Sequence, residues 1–239
     1  MIIKAHLEIL SSAQKQLWPA LRNTAALGFT LYGDTAIALR LGHRNSVDFD
    51  FFSGKAIDRE AIKATLPFVT QSTTIQDHGN TWTMLAPCDG SNTEHVKVSF
   101  FGTIAFGRVG EPDTTDDGVL QVASLDDLMA TKVKVILQRA EAKDYRDVAA
   151  MLNAGVSLPR ALAAARLLYG ANFQPSESLK ALVYFKDGDL STLTDAEKNA
   201  LVAAANAVKA LPEVFLQSSR LTVDESLICK PRTGHERNR

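Results

Sequence analysis

Residues 31–52 read LYGDTAIALRLGHRNSVDFDFF. Leu31 and Tyr32 close a short apolar run of strand type, and Gly33 supplies a turn. From Thr35 the pattern is that of an Ala-rich helix carrying Ile37, Leu39 and Leu41 and stopped near Gly42. A basic bend at His43 and Arg44 leads into a second strand, in which Val47, Phe49, Phe51 and Phe52 surround Asp48 and Asp50. Side chains i and i+2 of a strand share one face and sit about 6.6 Å apart along it. The two carboxylates therefore face one way while their apolar neighbours anchor the strand. Such a pair can bracket a magnesium ion, or two ions about 3.5–4 Å apart. Magnesium favours oxygen ligands, waters and substrate phosphates. Without a cation the two acids repel each other, and the bland alternative is an exposed strand.

The turn before the helix has its own chemistry. A glycine that ends a strand and opens a helix lets backbone approach a phosphate, and the helix N-terminus offers unpaired N–H groups. The alternative is an ordinary glycine turn. Arg44 could fork onto a phosphate or simply face solvent.

Working outward, residues 6–22 have helical periodicity interrupted late by Pro19. A helix is expected at 58–65 with Asp58 as its cap. Residues 68–75 and 81–86 read as a hairpin around Asp77 to Asn80, 95–101 alternates as a strand, and 103–109 and 119–122 add shorter strands around a polar loop at 110–118. At Ser124 the character changes to helix. Ser124 caps a segment running through residue 140, and a second helix runs from Ala142 to Gly155. Ser157 caps a third, and Thr194 with Glu197 forms a capping box ahead of residues 199–211. Lys132 and Arg139, seven apart, share one helix face. Asp144 and Asp147, three apart, share another. Taken alone, these four read better as a surface salt-bridge network between consecutive helices, although Lys132 could touch a triphosphate and Asp144 could orient it or accept a proton.

The chain has 239 residues, 46% hydrophobic and 22% charged, with a net charge of −1. These values fit a globular protein with a sizeable core, and they do not demand nucleic acid or an anionic membrane as partner. The sequence lacks a run of transmembrane length, and its first residues lack the apolar centre of a signal peptide, so a cytoplasmic location is expected. Cys88 and Cys229 form neither a disulfide framework nor a paired metal motif. The expected fold class is α+β: a mixed-sheet α/β core followed by a helical C-terminal region. The expected division is an α/β domain at 1–155, a helical domain at 156–229, and a basic tail at 230–239.

Residues 32–52, YGDTAIALRLGHRNSVDFDFF, resemble the AbiEii/AbiGii-type nucleotidyltransferases, whose pattern is close to GGTAL…HR-S-D-DFF. Residues 125–152, LDDLMATKVKVILQRAEAKDYRDVAAML, are similar to that family's second signature. YFKDGDL at 184–190 is similar to its C-terminal part. The resemblance implies a minimal nucleotidyltransferase fold of the polymerase β type and transfer of an NMP from an NTP to an acceptor hydroxyl. It implies Mg2+ (or Mn2+) as cofactor, an RNA end (tRNA) or a protein as acceptor, an antitoxin partner, and a bacterial toxin–antitoxin setting. Position by position, Asp48 and Asp50 match the metal-binding acids and Gly33 the phosphate turn. Lys132 and Asp144 match the later catalytic pair. Asp34, Thr35, Arg44, Ser99 and Arg139 complete the expected substrate-binding set.

Two positions depart from the family. Asp34 replaces a second glycine or a serine, and a carboxylate about 4 Å from a triphosphate oxygen costs roughly 1–4 kcal/mol. Ser99 stands where relatives in the superfamily place a third carboxylate, and an unaided serine is not a base at neutral pH. Asp144 could take over that role. The alternative function is a weakened or inactive nucleotidyltransferase fold, kept as a nucleotide-binding or protein-interaction module.

Overall fold

The computed structural model describes residues 1–87 and 94–221. Cys88, Cys229 and the basic tail at 230–239 lie outside the described residues. In chain order the elements begin with β1 (Ile2–Ile3), α1 (Ser12–Leu17), β2 (Thr30–Tyr32), α2 (Gly33–Leu41) and β3 (Asp48–Phe52). They continue with α3 (Arg59–Thr65), α4 (Phe68–Gln71), β4 (Thr73–His78), β5 (Thr81–Pro87) and β6 (His95–Phe101). After β7 (Asp113–Thr115) and β8 (Gln121–Val122) come the helices α5 (Leu125–Val135), α6 (Ala142–Asn153), α7 (Leu158–Tyr169), α8 (Pro175–Leu182) and α9 (Asp195–Ala207). The strands form a mixed sheet in the order β1-β7-β8-β2-β3-β6-β5-β4, followed by helices, which is the α+β class expected.

The centre of the sheet is built by alternation. On β3, Phe49 and Phe51 are fully buried while Asp48, Asp50 and Phe52 take the opposite face. β6 runs parallel to β3 in matching register and buries Val96, Val98 and Phe100 on the same side as the two phenylalanines. Phe51 and Phe100 stack with ring centroids 5.5 Å apart, and Trp18 closes on Phe49 at 6.2 Å. Burying phenylalanines on one face leaves the acids no choice but the other.

The helices cover the sheet and then extend it. Ser124 accepts from the Asp127 N–H to start α5, Ser157 caps α7, and Thr194 with Glu197 closes the expected capping box on α9. α7 packs on α5 and α9 on α6. The apolar cluster continues from the sheet through Leu162, Leu182 and Leu201. The helical reading of 6–22, interrupted late by Pro19, resolves into three pieces: a 3-10 turn at Leu7–Ile9, α1 started afresh by a capping box of Ser11 and Gln14, and a 3-10 run at Trp18–Thr24. Pro19 sits in the first turn of that last run, where a missing N–H costs least and the α-helical ladder gives way to tighter turns.

Other expectations need correction. Residues 68–71 are helical and not strand, since Pro67 presets a helical turn ahead of them. Among the described residues, 103–109 form no strand and contribute one isolated bridge, Arg108 to Ser218. The polar loop at 110–118 contains β7, paired in parallel with the N-terminal β1. Two isoleucines are too short a run to signal such a strand. Val47 does not anchor β3: it precedes the strand and is 65% exposed. α5 and α9 end several residues early, at Val135 and Ala207.

Candidate active site

The site forms where β3, the start of α2 and the α5–α6 pair converge. Gly33 has φ +73°, and a Cβ there would stand 3.0 Å from Asp50 Oδ2. Glycine is therefore needed twice over, for the left-handed turn and for the close approach of a carboxylate. The space that glycine frees is used by Asp50 itself.

Register decides what surrounds the two acids. Lys97 lies opposite Asp48, Ser99 opposite Asp50, and Phe101 opposite Phe52, all on the face away from the core. Lys97 Nζ donates to Asp48 Oδ2 at 2.7 Å, with both side chains partly exposed. The pairing raises the Lys97 ammonium above its ordinary range, because it is hydrogen-bonded to a carboxylate. Burial pushes the Asp50 carboxyl up, and nearby Asp48 and Asp34 add to the shift. The Ser99 hydroxyl and Lys97 oppose it. Both acids, with Ser46 and Lys97, line an open polar cavity of about 200 Å³. A negatively charged, oxygen-only donor pair beside open volume fits a hard divalent cation.

The helical half is different in kind. Lys132 is nine-tenths and more buried, yet its Nζ reaches three carboxylates. It lies 2.5 Å from Asp144 Oδ1 and 2.8 Å from Asp147 Oδ2, and it donates to Asp34. Burial would lower the Lys132 pKa, but Asp147, Asp34 and Asp144 outweigh it and raise it to about 12. Arg139 donates to Asp144 Oδ2 at 2.7 Å and to Oδ1 at 3.1 Å, so both Asp144 oxygens are taken. Arg44 forks onto Asp147 at 2.6 and 2.8 Å, and His43 Nε2 lies 2.8 Å from the same carboxylate. Asp147 is held below the usual range. Burial opposes this, and the hydrogen bonds from His43 and Arg44 prevail. Oxygens of Asp34, Asp144 and Asp147 lie within 4.8 Å of one another, a spacing that would suit a metal ion. The Lys132 ammonium already supplies the positive charge there.

Asp34 joins the two halves. Besides Lys132 it meets Arg44 Nη2 at 3.1 Å and Lys143 Nζ at 3.6 Å. Burial would raise its carboxyl, but Lys132, Arg44 and Lys143 hold it well below the carboxylate range. The added acid therefore turns toward the cations, where it takes up the positive charge that a phosphate would otherwise meet.

All ten expected site residues fall in this one region, with different engagements. Asp48, Asp50 and Lys97 line the polar cavity, and Ser99 is buried beside Asp50, opposite it on β6. The Thr35 hydroxyl is buried against Ser46 Oγ at 2.7 Å and the Asp48 carbonyl, so it ties α2 to β3 and is turned away from a ligand. Arg44 is forked on a carboxylate where a phosphate was expected. The residues that sequence reasoning left without a role are Lys97, Lys143, His43 and Asp189, while Asp147 takes its place in the salt-bridge network read for Lys132, Arg139, Asp144 and Asp147. His43 and Lys143 stand inside the two quoted motifs, which was the available signal. Lys97 is found only through β3–β6 register. Asp189 lies in the DGD of residues 184–190. Its carboxylate accepts from the Ala142 N–H at 2.6 Å and so fixes the start of α6, the helix of Asp144. Beside it, a Cβ on Gly188 would collide with the Ala140 carbonyl at 2.0 Å.

Comparisons with known proteins agree with this architecture. The chain is 29% identical over 191 residues to protein aq_aa25 of Aquifex aeolicus (strain VF5), covering 77% of this chain and 88% of that protein. A candidate nucleotidyltransferase from H. pylori superimposes with a TM-score of 0.52 at 20% identity, over 81% of this chain and 92% of that one. MenT4, a nucleotidyltransferase toxin from Mycobacterium tuberculosis H37Rv, superimposes with a TM-score of 0.54 at 16% identity, over 83% of each chain. At those identities the likeness is one of fold. Residues 18–215 match the family described as nucleotidyl transferase AbiEii toxin, type IV TA system. The chain belongs to the AbiEii nucleotidyltransferase toxin family.

Proposed function

We propose that this protein is a divalent-metal-dependent nucleotidyltransferase that moves an NMP from an NTP to an acceptor hydroxyl and releases pyrophosphate. The observation that carries the reading is the Asp48–Asp50 pair, held on one face of β3 by two buried phenylalanines and opened onto a polar cavity. Asp48 and Asp50 would hold Mg2+ or Mn2+, which when bound neutralises phosphate charge and aligns in-line displacement. Gly33 seats the Asp50 carboxylate, and Thr35 keeps α2 in register with β3. Arg139, half-exposed on the cavity wall, stabilises charge that develops on the phosphates, Arg44 adds to the cationic wall, and Lys132 behind them holds Asp34, Asp144 and Asp147 in place. Asp144, with both oxygens engaged, orients Lys132 and Arg139 and does not act as base. Ser99 hydrogen-bonds Asp50 and is no base either. The proton of the attacking hydroxyl therefore passes to water in the open cavity. The acceptor is an RNA end such as tRNA, or a protein, within a bacterial toxin–antitoxin pair whose antitoxin restrains the enzyme in the cytoplasm.

A second reading has its own support. Asp34 pairs with the cations that a triphosphate would use, which favours a fold that binds nucleotide with little or no turnover. Incubation with α-labelled NTPs, Mg2+ and total RNA separates the two. Label in RNA or in the protein itself is expected, and it should vanish in Asp48→Ala. If neither the wild type nor an Asp34→Gly, Ser99→Asp variant transfers label while Mg2+-dependent NTP binding persists, the binding module is correct.

A further inference from the structure

Beside the polar cavity lies a second one of different character, about 230 Å³ and largely apolar. The two share Asp34, Asp50 and Arg139, so they are contiguous at the carboxylates. Phe52 and Phe101 form one wall of the second cavity. They are cross-strand partners in register on β3 and β6, with ring centroids 5.2 Å apart and edge to face. Tyr32 stacks on Phe52 at 4.9 Å and backs it. The opposite wall comes from α5 and the turn after it, with Thr131 and Val135 on the helix and Gln138 at the exposed rim.

These aromatics stand on the face of the sheet opposite the core phenylalanines, across the cavity from α5, with Tyr32 buried and Phe52 and Phe101 half-buried. An apolar face left open beside charged groups needs an occupant that is flat and apolar on its faces and polar at its edge. A nucleobase has that description: stacking on aromatic side chains accepts every base, and hydrogen bonds at the edge discriminate among them. The cavities meet at Asp34, Asp50 and Arg139, so phosphates attached to the base would lie beside the Arg139 guanidinium and the metal that Asp50 is proposed to hold.

Resting on the nucleotidyltransferase reading above, we infer that the cavity between β3–β6 and α5 seats the nucleobase of the NTP, with Phe52 and Phe101 as its apolar wall and Gln138 as the residue that selects the base. The Gln138 carboxamide offers an acceptor and two donors, enough for a paired contact with a base edge. The phosphates then extend through the shared junction toward Asp48 and Lys97. Thr131, one turn before Val135, directs its hydroxyl to the Leu128 carbonyl at 2.8 Å. Thr131 therefore has only acceptor capacity left for a ligand, whereas the Gln138 carboxamide can both donate and accept.

The test compares ligands with and without a base. Calorimetry with Mg2+ and each of ATP, GTP, CTP and UTP, and with tripolyphosphate as the baseless probe, is run on wild type, Phe101→Leu and Gln138→Ala. Gln138 is exposed, so its variant keeps the fold. Phe101→Leu should weaken the preferred NTP by about tenfold, the scale of one stacking contact, and leave tripolyphosphate unchanged. Gln138→Ala should flatten the preference among the four NTPs. Unchanged NTP affinity in both variants, or an equal loss for tripolyphosphate, overturns the base site alone. If wild type binds neither NTP nor tripolyphosphate, the nucleotidyltransferase reading falls, and this inference falls with it.

Discussion

Asp50 and Asp144 are carboxylates beside buried or half-buried cations in one site, yet their surroundings are opposite. Asp50 faces open volume, has two other acids for neighbours and a single hydroxyl across the strand, and its carboxyl is pushed up. Asp144 is sealed, with Lys132 and Arg139 matching both of its oxygens. The strand half is left short of positive charge, and the helical half is neutralised internally. A buried charge cluster persists only when its members are mutually satisfied, so the α5–α6 cluster is the part that holds the site in shape. On the proposed function, the strand carboxylates, with Lys97 on Asp48, are the part that would take a metal ion from outside. The difference separates two tasks that the same residue types could each have performed.

The largest expected effect comes from disabling the strand half. Asp50→Asn should lower nucleotidyl transfer by about 10³-fold, the scale of losing metal-assisted charge stabilisation. It should leave the melting temperature unchanged or slightly raised, since a repelled carboxylate is removed. A transfer assay with a parallel thermal melt checks this, and a variant that keeps its activity would erase the distinction. The helical half should respond the other way round. Lys132→Met removes the central cation shared by buried Asp144 and Asp147 and half-buried Asp34 and should cost about 3–5 kcal/mol of stability, a fall on the order of 10 °C in melting temperature. Urea unfolding would show it.

Asp34 sharpens the comparison because it belongs to both halves. Asp34→Asn keeps the shape and releases charge from Lys132, Arg44 and Lys143. Removing one like-charge contact is worth roughly 1–4 kcal/mol, so NTP affinity by calorimetry should rise by about tenfold or more. A fall in affinity would mean instead that Asp34 itself helps to hold the metal.

How far these halves were legible in the sequence differs too. Asp48 and Asp50 were readable because β-alternation is local: Phe49 and Phe51 declare the core face, and the acids follow. The caps at Ser124, Ser157 and Thr194 were readable for the same reason. Lys97 was not, since only the parallel register of β3 against β6 brings it to Asp48. The consequence of Asp34 was also hidden. It is next to Gly33 in sequence but 98 residues from Lys132, so sequence spacing alone could not tell an acid aimed at phosphate from an acid aimed at lysine. Thr35 shows the converse. Its place in the motif suggested a ligand contact, while its hydroxyl serves the backbone of β3.

The smallest expected effect is in pH dependence, which reads the helical half alone. Asp34 and Asp147 are depressed, so their stabilisation is present above about pH 3.9 and is lost as pH falls through their lower folded values. Lys132 is raised to about 12. Its contribution is complete below the unfolded value of about 10.4 and is lost as pH rises through the folded one. The gap in melting temperature between wild type and Lys132→Met should stay constant from about pH 5 to 9 and narrow beyond about pH 10.4. A gap that closes near neutrality would show that Lys132 is not the cation of the cluster.

The central claim is that the metal belongs to the strand acids while the ammonium of Lys132 fills the helical ones. Electron paramagnetic resonance of Mn2+ titrated with NTP into wild type, Asp50→Asn and Asp34→Asn tests it directly. The protein-bound Mn2+ signal should be lost in Asp50→Asn and kept in Asp34→Asn. A signal kept in Asp50→Asn and lost in Asp34→Asn would move the metal into the helical cluster and contradict the account.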